Sequence, residues 1–179
     1  MSSEMPAEPK SVPIHAPRMP SRIIEGLRAA IANPMSKPRA YIRLSVSGGV
    51  HGEAYDFEYR IDANGQTSAH LRDELKDCQV DESSTDTKAA DPARFADLAA
   101  ALDIEALVRN EAQGGRFPPD SVVGRLEVSD GEQTVTFLFL ADEDQARQAR
   151  LLVPDSLRKT VDTIYRAAAA YLGTENVRP

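Results

Sequence analysis

One cysteine, no tryptophan, three histidines and no long apolar run set the first limits on this 179-residue chain. The single cysteine, Cys78, rules out an internal disulfide framework. Residues 1–20 hold no apolar run that could serve as a signal-peptide core, so the expected location is cytoplasmic. No stretch approaches the ~18 consecutive apolar residues of a membrane span. Also missing are a Gly-x-Ser-x-Gly elbow, a Gly-x-x-x-x-Gly-Lys-Ser/Thr loop and a Gly-x-Gly-x-x-Gly fingerprint. Serine-hydrolase, P-loop and dinucleotide chemistries thereby lose their main supports, and no cofactor or metal is expected.

What is present is an acidic body on a basic arm. The net charge is −7, but residues 1–43 hold seven basic and three acidic residues (+4) against 14 basic and 25 acidic in 44–179 (−11). A body of that sign repels phosphate backbones, and the arm's basic residues are scattered, so nucleic acid is not an expected partner. Seven of the twelve prolines fall in residues 1–38. Residues 1–20 have no apolar periodicity to offset their ordering entropy and read as a disordered arm.

From Ser21 the pattern becomes helical: Ile23, Ile24, Leu27 and Ile31 share a stripe, and Asn33-Pro34 ends it, giving an amphipathic helix over 21–33. From Arg39 the period shortens to two. Ile42, Leu44 and Val46 alternate with Arg43, Ser45 and Ser47, and after the glycine-rich loop 48–52, Tyr55, Phe57, Tyr59 and Ile61 alternate with Asp56, Glu58, Arg60 and Asp62. Asn64-Gly65 predicts a hairpin into a third strand through Thr67, Ala69 and Leu71. The polar, acidic stretch 81–90 reads as a mobile loop, and Asp91-Pro92 opens a helix carrying Phe95, Leu98 and Leu102.

Asp103 caps a short second helical segment. A second hairpin follows, Val122–Val128 and Gln133–Leu140 around Asp130-Gly131. Its second strand is apolar on both faces, through Phe137 and Phe139 on one and Leu138 and Leu140 on the other, which predicts a central position. Residues 142–150 read as a charged connection, helical in part, and Leu151–Val153 as a brief edge strand or a lead-in. Leu157, Val161, Ile164, Tyr165, Ala168 and Leu172 form the stripe of a last helix, capped by Asp155 or Ser156 and ended by Gly173. The expected fold is α+β: an antiparallel sheet of about five strands, meander plus hairpin, covered by two to three helices. It occupies 39–173 as a single domain, with 174–179 a flexible tail.

The candidate chemistry is sparse. His51 beside Glu53 could form an acid/base pair on the glycine loop, and His70 with Cys78 offers two of the three or four ligands a zinc site needs. Cys78 lacks the base and orienting group that accompany a nucleophilic thiol. The acidic run Asp142-Glu143-Asp144 lacks the glycine and ligand rhythm of a calcium loop. A protein-binding role fits better than an enzyme, through the loop Gly48, Gly49, Val50 and His51 or the helix stripe Ile24, Leu27 and Ile31.

At Arg43-Leu44-Ser45-Val46-Ser47-Gly48-Gly49 the chain resembles the emfourin proteins, inhibitors of thermolysin-like zinc metalloproteases. The similarity spans roughly 40–168 and includes the element order, Pro119-Asp120-Ser121 before a strand, and a proline-led helix at Pro154–Tyr165. The resemblance implies a non-enzymatic inhibitor that inserts Gly48, Gly49, Val50 and His51 into a metalloprotease cleft. Two alternatives stay open: an accessory subunit of a larger assembly that uses its arm and first helix, and an enzyme with a site near His51 and Glu53.

Overall fold

The change from a helical period to a period of two near Arg39 marks the entry into the sheet. The computed structural model describes residues 20–49, 55–83, 89–110 and 117–179. Among these the fold is α+β: an open six-stranded antiparallel sheet and five α-helices. The helices are α1 (Pro20–Ala32), α2 (Pro92–Ala101), α3 (Ile104–Arg109), α4 (Glu143–Ala149) and α5 (Asp155–Leu172). The strands are β1 (Tyr41–Gly48), β2 (Tyr55–Asp62), β3 (Thr67–Asp73), β4 (Cys78–Ser83), β5 (Val123–Ser129) and β6 (Thr134–Leu140). They lie in the order β4-β3-β2-β1-β5-β6, so β1 joins the meander to the hairpin.

Alternation in the sequence becomes two chemically different faces. One register row runs Glu82, Ala69, Tyr59, Leu44, Leu126, Phe137, and the adjacent row on the same face runs Val80, Leu71, Phe57, Val46, Gly124, Phe139. This face packs against Ile23, Leu27 and Ala30 of α1, Phe95 and Leu98 of α2, Leu107 of α3 and Leu157, Ile164 and Ala168 of α5, all in one core. The opposite face carries Arg43, Glu58, Glu127, Arg125, Arg60 and Asp62, tied together as ion pairs.

Two glycines are explained by close approach. Gly65, at φ +85°, ends a three-residue hairpin loop, where its N–H donates to the Asp62 carbonyl (2.8 Å) and the Asp62 N–H to that of Gln66 (2.9 Å). A Cβ there would sit 2.1 Å from the backbone of Asp91, whose carboxylate caps α2. Gly26, inside α1, lets that helix cross the β5–β6 turn, since a Cβ would lie 2.3 Å from Asp130 Oδ2.

Several expectations change. Part of the stretch expected to be a loop is β4, an edge strand that adds a sixth strand to the sheet. The sequence Cys78-Gln79-Val80-Asp81-Glu82-Ser83 has too little apolar alternation to announce itself, and pairing with β3 supplies the order. The other edge is β6, which was expected at the centre. Leu140 on its second face is buried not by another strand but in the neighbourhood of α4, where Ala146 is also buried. Residues 151–154 are neither strand nor helix, and Pro154, rather than Asp155 or Ser156, stands at the N-cap of α5. Within the stretch expected to be a tail, Val177 is 1% exposed and its carbonyl accepts a hydrogen bond from the Tyr55 hydroxyl. The proline-rich arm, apart from its last residue, lies outside the described residues.

Candidate functional site

The glycine loop is the first place to look. Gly48 and Gly49 both have positive φ, +139° and +110°. For Gly48 the reason is internal, because a Cβ would meet the Ser121 carbonyl oxygen at 2.2 Å. Val50, His51 and Glu53 lie outside the described residues. Of the helix stripe, Leu27 is 3% exposed and part of the core, and with Ile24 and Ile31 it borders a groove of about 540 Å³ between α1, the α2–α3 junction and the start of α5.

His70 and Cys78 do not converge. His70 is on the polar face, its Nε2 3.2 Å from Asp56 Oδ2, with Glu58 and Asp81 opposite it on β2 and β4. Cys78 is half-buried against the core, on the register row of Asp73 and Tyr55. Among the described residues no three histidine, cysteine or carboxylate side chains form a metal-binding group. The acidic run has a structural reason: Asp142 Oδ1 accepts from the Gln145 N–H (3.0 Å), capping α4, with Glu143 and Asp144 in its first turn.

On the polar face Arg43 binds Glu58 at 2.5 Å and reaches Glu127 at 3.4 Å, and Glu127 also accepts from Arg125 at 2.8 Å. The Glu58 hydrogen bond holds the Arg43 guanidinium above its ordinary value. The charges here satisfy one another across three strands, which leaves little unbalanced charge for a ligand.

The two sheet edges differ more. Strand β4 carries Asp81 and Glu82, charges of the kind that discourage pairing with another chain. Strand β6 reads Thr-Val-Thr-Phe-Leu-Phe-Leu, without charge, proline or glycine. Its ladder phase follows from two flanking hydrogen bonds, Ala141 N–H to Val122 O at 2.9 Å and Asp130 N–H to Gln133 O at 3.2 Å. Alternate residues therefore face β5, so Val135, Phe137 and Phe139 bond inward and the intervening residues turn their N–H and C=O groups outward. Those of Thr136, Leu138 and Leu140 meet no hydrogen-bond partner among the described residues. Near the end of this edge Leu151 and Leu152 are 45% and 51% exposed, and Leu152 lines a cleft with Phe139, Leu140 and Val153.

No protein-family model matches the chain, and no curated protein matches it significantly. None of the described helices is long and apolar enough to cross a membrane. The open β6 edge was not anticipated from sequence, although its signal, seven uncharged residues of high β propensity before an acidic cap, was there to be read.

Proposed function

We propose that this chain is a non-enzymatic, cytoplasmic protein-binding domain that takes up an extended segment of a partner protein along β6. The observation that carries the reading is the unpaired, uncharged edge at Thr136, Leu138 and Leu140. A strand added there makes main-chain hydrogen bonds, and the partner's side chains choose between two faces of opposite character. One side of the added strand continues the apolar row of Phe137 and Phe139; the other meets Thr136 and Leu138, with Leu152 near the end. The edge is already ordered by β5, so docking costs the domain little entropy.

The test uses proline where it does least harm to the fold. The Leu138 N–H faces away from β5, so Leu138→Pro removes a donor from the edge without breaking the β5–β6 ladder. Peptides selected against the full chain from a random display library should lose at least about tenfold in affinity for Leu138→Pro, with far-UV circular dichroism unchanged. Selected peptides that bind both proteins equally would place the binding surface elsewhere. The inhibitor role implied by the emfourin resemblance supplies a second arm. Inhibition of a thermolysin-like protease that survives Leu138→Pro and is lost in a deletion of 49–52 would assign function to the glycine loop instead.

A further inference from the structure

A second site, independent of the β6 edge, lies between α2 and α5. Tyr59 projects from the middle of β2 into the core and is 0% exposed, and its hydroxyl has no hydrogen-bond partner. A buried tyrosine hydroxyl ordinarily finds a partner, and one left alone calls for an explanation. Tyr59 borders a cleft of about 350 Å³ whose other walls are Arg94, Ala167, Ala170 and Tyr171.

Arg94 is the second anomaly. Of the half-buried arginines, Arg43 pairs with Glu58 and Arg60 with Asp62, whereas Arg94 has no carboxylate within ion-pair distance among the described residues. Its guanidinium lies 5.4 Å from the centre of the Tyr171 ring and makes one long contact, 3.4 Å, to Thr67 Oγ1. Most of its five N–H donors remain uncommitted. The same cleft thus gathers a buried neutral donor, an unpaired cation, an aromatic wall and two alanines that leave space.

We infer that this cleft is a binding site for a small monocarboxylate with a compact apolar body. The carboxylate would accept the fork of Arg94 and the hydroxyl of Tyr59, and the apolar body would rest against Tyr171, Ala167 and Ala170. The volume is at the small end of the ~300–1,000 Å³ usual for ligand pockets, which suits an aryl acid of one ring. A multiply charged phosphate suits it less, because Arg94 is the one cation in the lining. Entry requires Arg94 to leave its present position, and the two weak contacts that hold it there are easily exchanged for a charged partner.

The experiment is a calorimetric titration of the full chain with benzoate, with benzamide as the neutral isostere and inorganic phosphate as the anion without an apolar body. Benzoate should bind with a Kd on the order of 1 mM or tighter, and benzamide and phosphate at least about tenfold more weakly. Tyr59→Phe and Arg94→Gln should each weaken benzoate by about tenfold or more, the loss expected for a hydrogen bond to a charged group. Ala170→Leu should fill the cleft and abolish binding, with the circular dichroism spectrum retained. The site is overturned by no benzoate heat at concentrations on the order of 10 mM, by equal binding of benzoate and benzamide, or by Tyr59→Phe binding as the natural chain does.

Discussion

The buried tyrosines make the fold sensitive to alkali, by an amount that can be worked out. Burial is the first cause that pushes Tyr59 up to about 12 and also raises Tyr55 and Tyr165. Burial penalises the phenolate, so each group favours the fold while it is neutral. That contribution is fully present below the unfolded value of ~10 and is lost as pH rises through the folded value. At pH ~11 an unfolded tyrosine is about nine-tenths ionised and Tyr59 about nine-tenths neutral, which costs the fold about 1.4 kcal/mol. Tyr55 and Tyr165 bring the loss to about 4 kcal/mol, a large part of the ~5–15 kcal/mol that holds a domain together.

The assay follows phenolate absorbance and far-UV circular dichroism together as pH is raised. At least three of the five tyrosines should gain absorbance only as the dichroism signal collapses, cooperatively, between pH ~11 and ~12. Tyr59→Phe should move that collapse to higher pH and leave neutral-pH stability unchanged or improved, because it removes a hydroxyl that has no partner. Reversible titration of all the phenols near pH ~10 with dichroism intact would refute the reasoning, since the three rings would then be open to water.

Three further perturbations follow from the packing. Gly65→Ala should cost roughly 2–3 kcal/mol by urea unfolding, about half from the positive φ and half from displacing the Asp91 cap of α2, and a loss under ~0.5 kcal/mol would show that the hairpin moves freely off that helix. Arg43→Met should cost about 1–2 kcal/mol, discounted because Arg43 is 36% exposed, and a double-mutant cycle with Glu127→Gln should recover part of it; strict additivity would mean that the pair does not interact. Deleting 174–179 should cost about 1–2 kcal/mol and let Tyr55 ionise at lower pH, because the Val177 carbonyl that accepts from the Tyr55 hydroxyl is removed and the buried hydroxyl is opened to water; an unchanged alkaline titration would contradict that role for the tail.

The elements read correctly from sequence are those whose own residues bury them. Strand β2 alternates without a break from Tyr55 to Asp62, and α5 carries an unbroken stripe from Leu157 to Leu172, so local pattern and final environment agree. Asp91 and Asp103 cap α2 and α3 where the sequence placed them. Strand β4 was missed because its one strong apolar residue, Val80, does not make a pattern and its stability comes from β3 and α5. Strand β6 was misplaced because Leu138 and Leu140, on the face opposite Phe137 and Phe139, were read as the mark of a central strand, whereas β6 is an edge against which α4 packs, with Leu140 and Ala146 buried there. The Tyr59–Arg94 cleft was not legible at all. Alternation marks Tyr59 as core and says nothing of its hydroxyl, and Arg94 looks like any arginine on an amphipathic helix until α2 is laid beside α5.

The sheet order explains why an open edge is found at β6. Because β5 pairs with β1, the hairpin extends the meander instead of closing over it, so the sheet keeps two free edges, one from each half of the chain. The acidic body protects the β4 edge with Asp81 and Glu82, whereas β6 lies between charged turns and carries no charge from Thr134 to Ala141. Both faces of β6 are needed elsewhere: Phe137 and Phe139 complete the core row, and Leu140 is buried near α4. A charge could still have been placed at Thr136 or Leu138 without disturbing either contact, since both residues are only half-buried on the polar face. That the two positions most easily given a protective charge are uncharged, on an edge where the outward groups of Thr136, Leu138 and Leu140 meet no partner among the described residues, is what favours an edge kept open for pairing over one merely left unguarded.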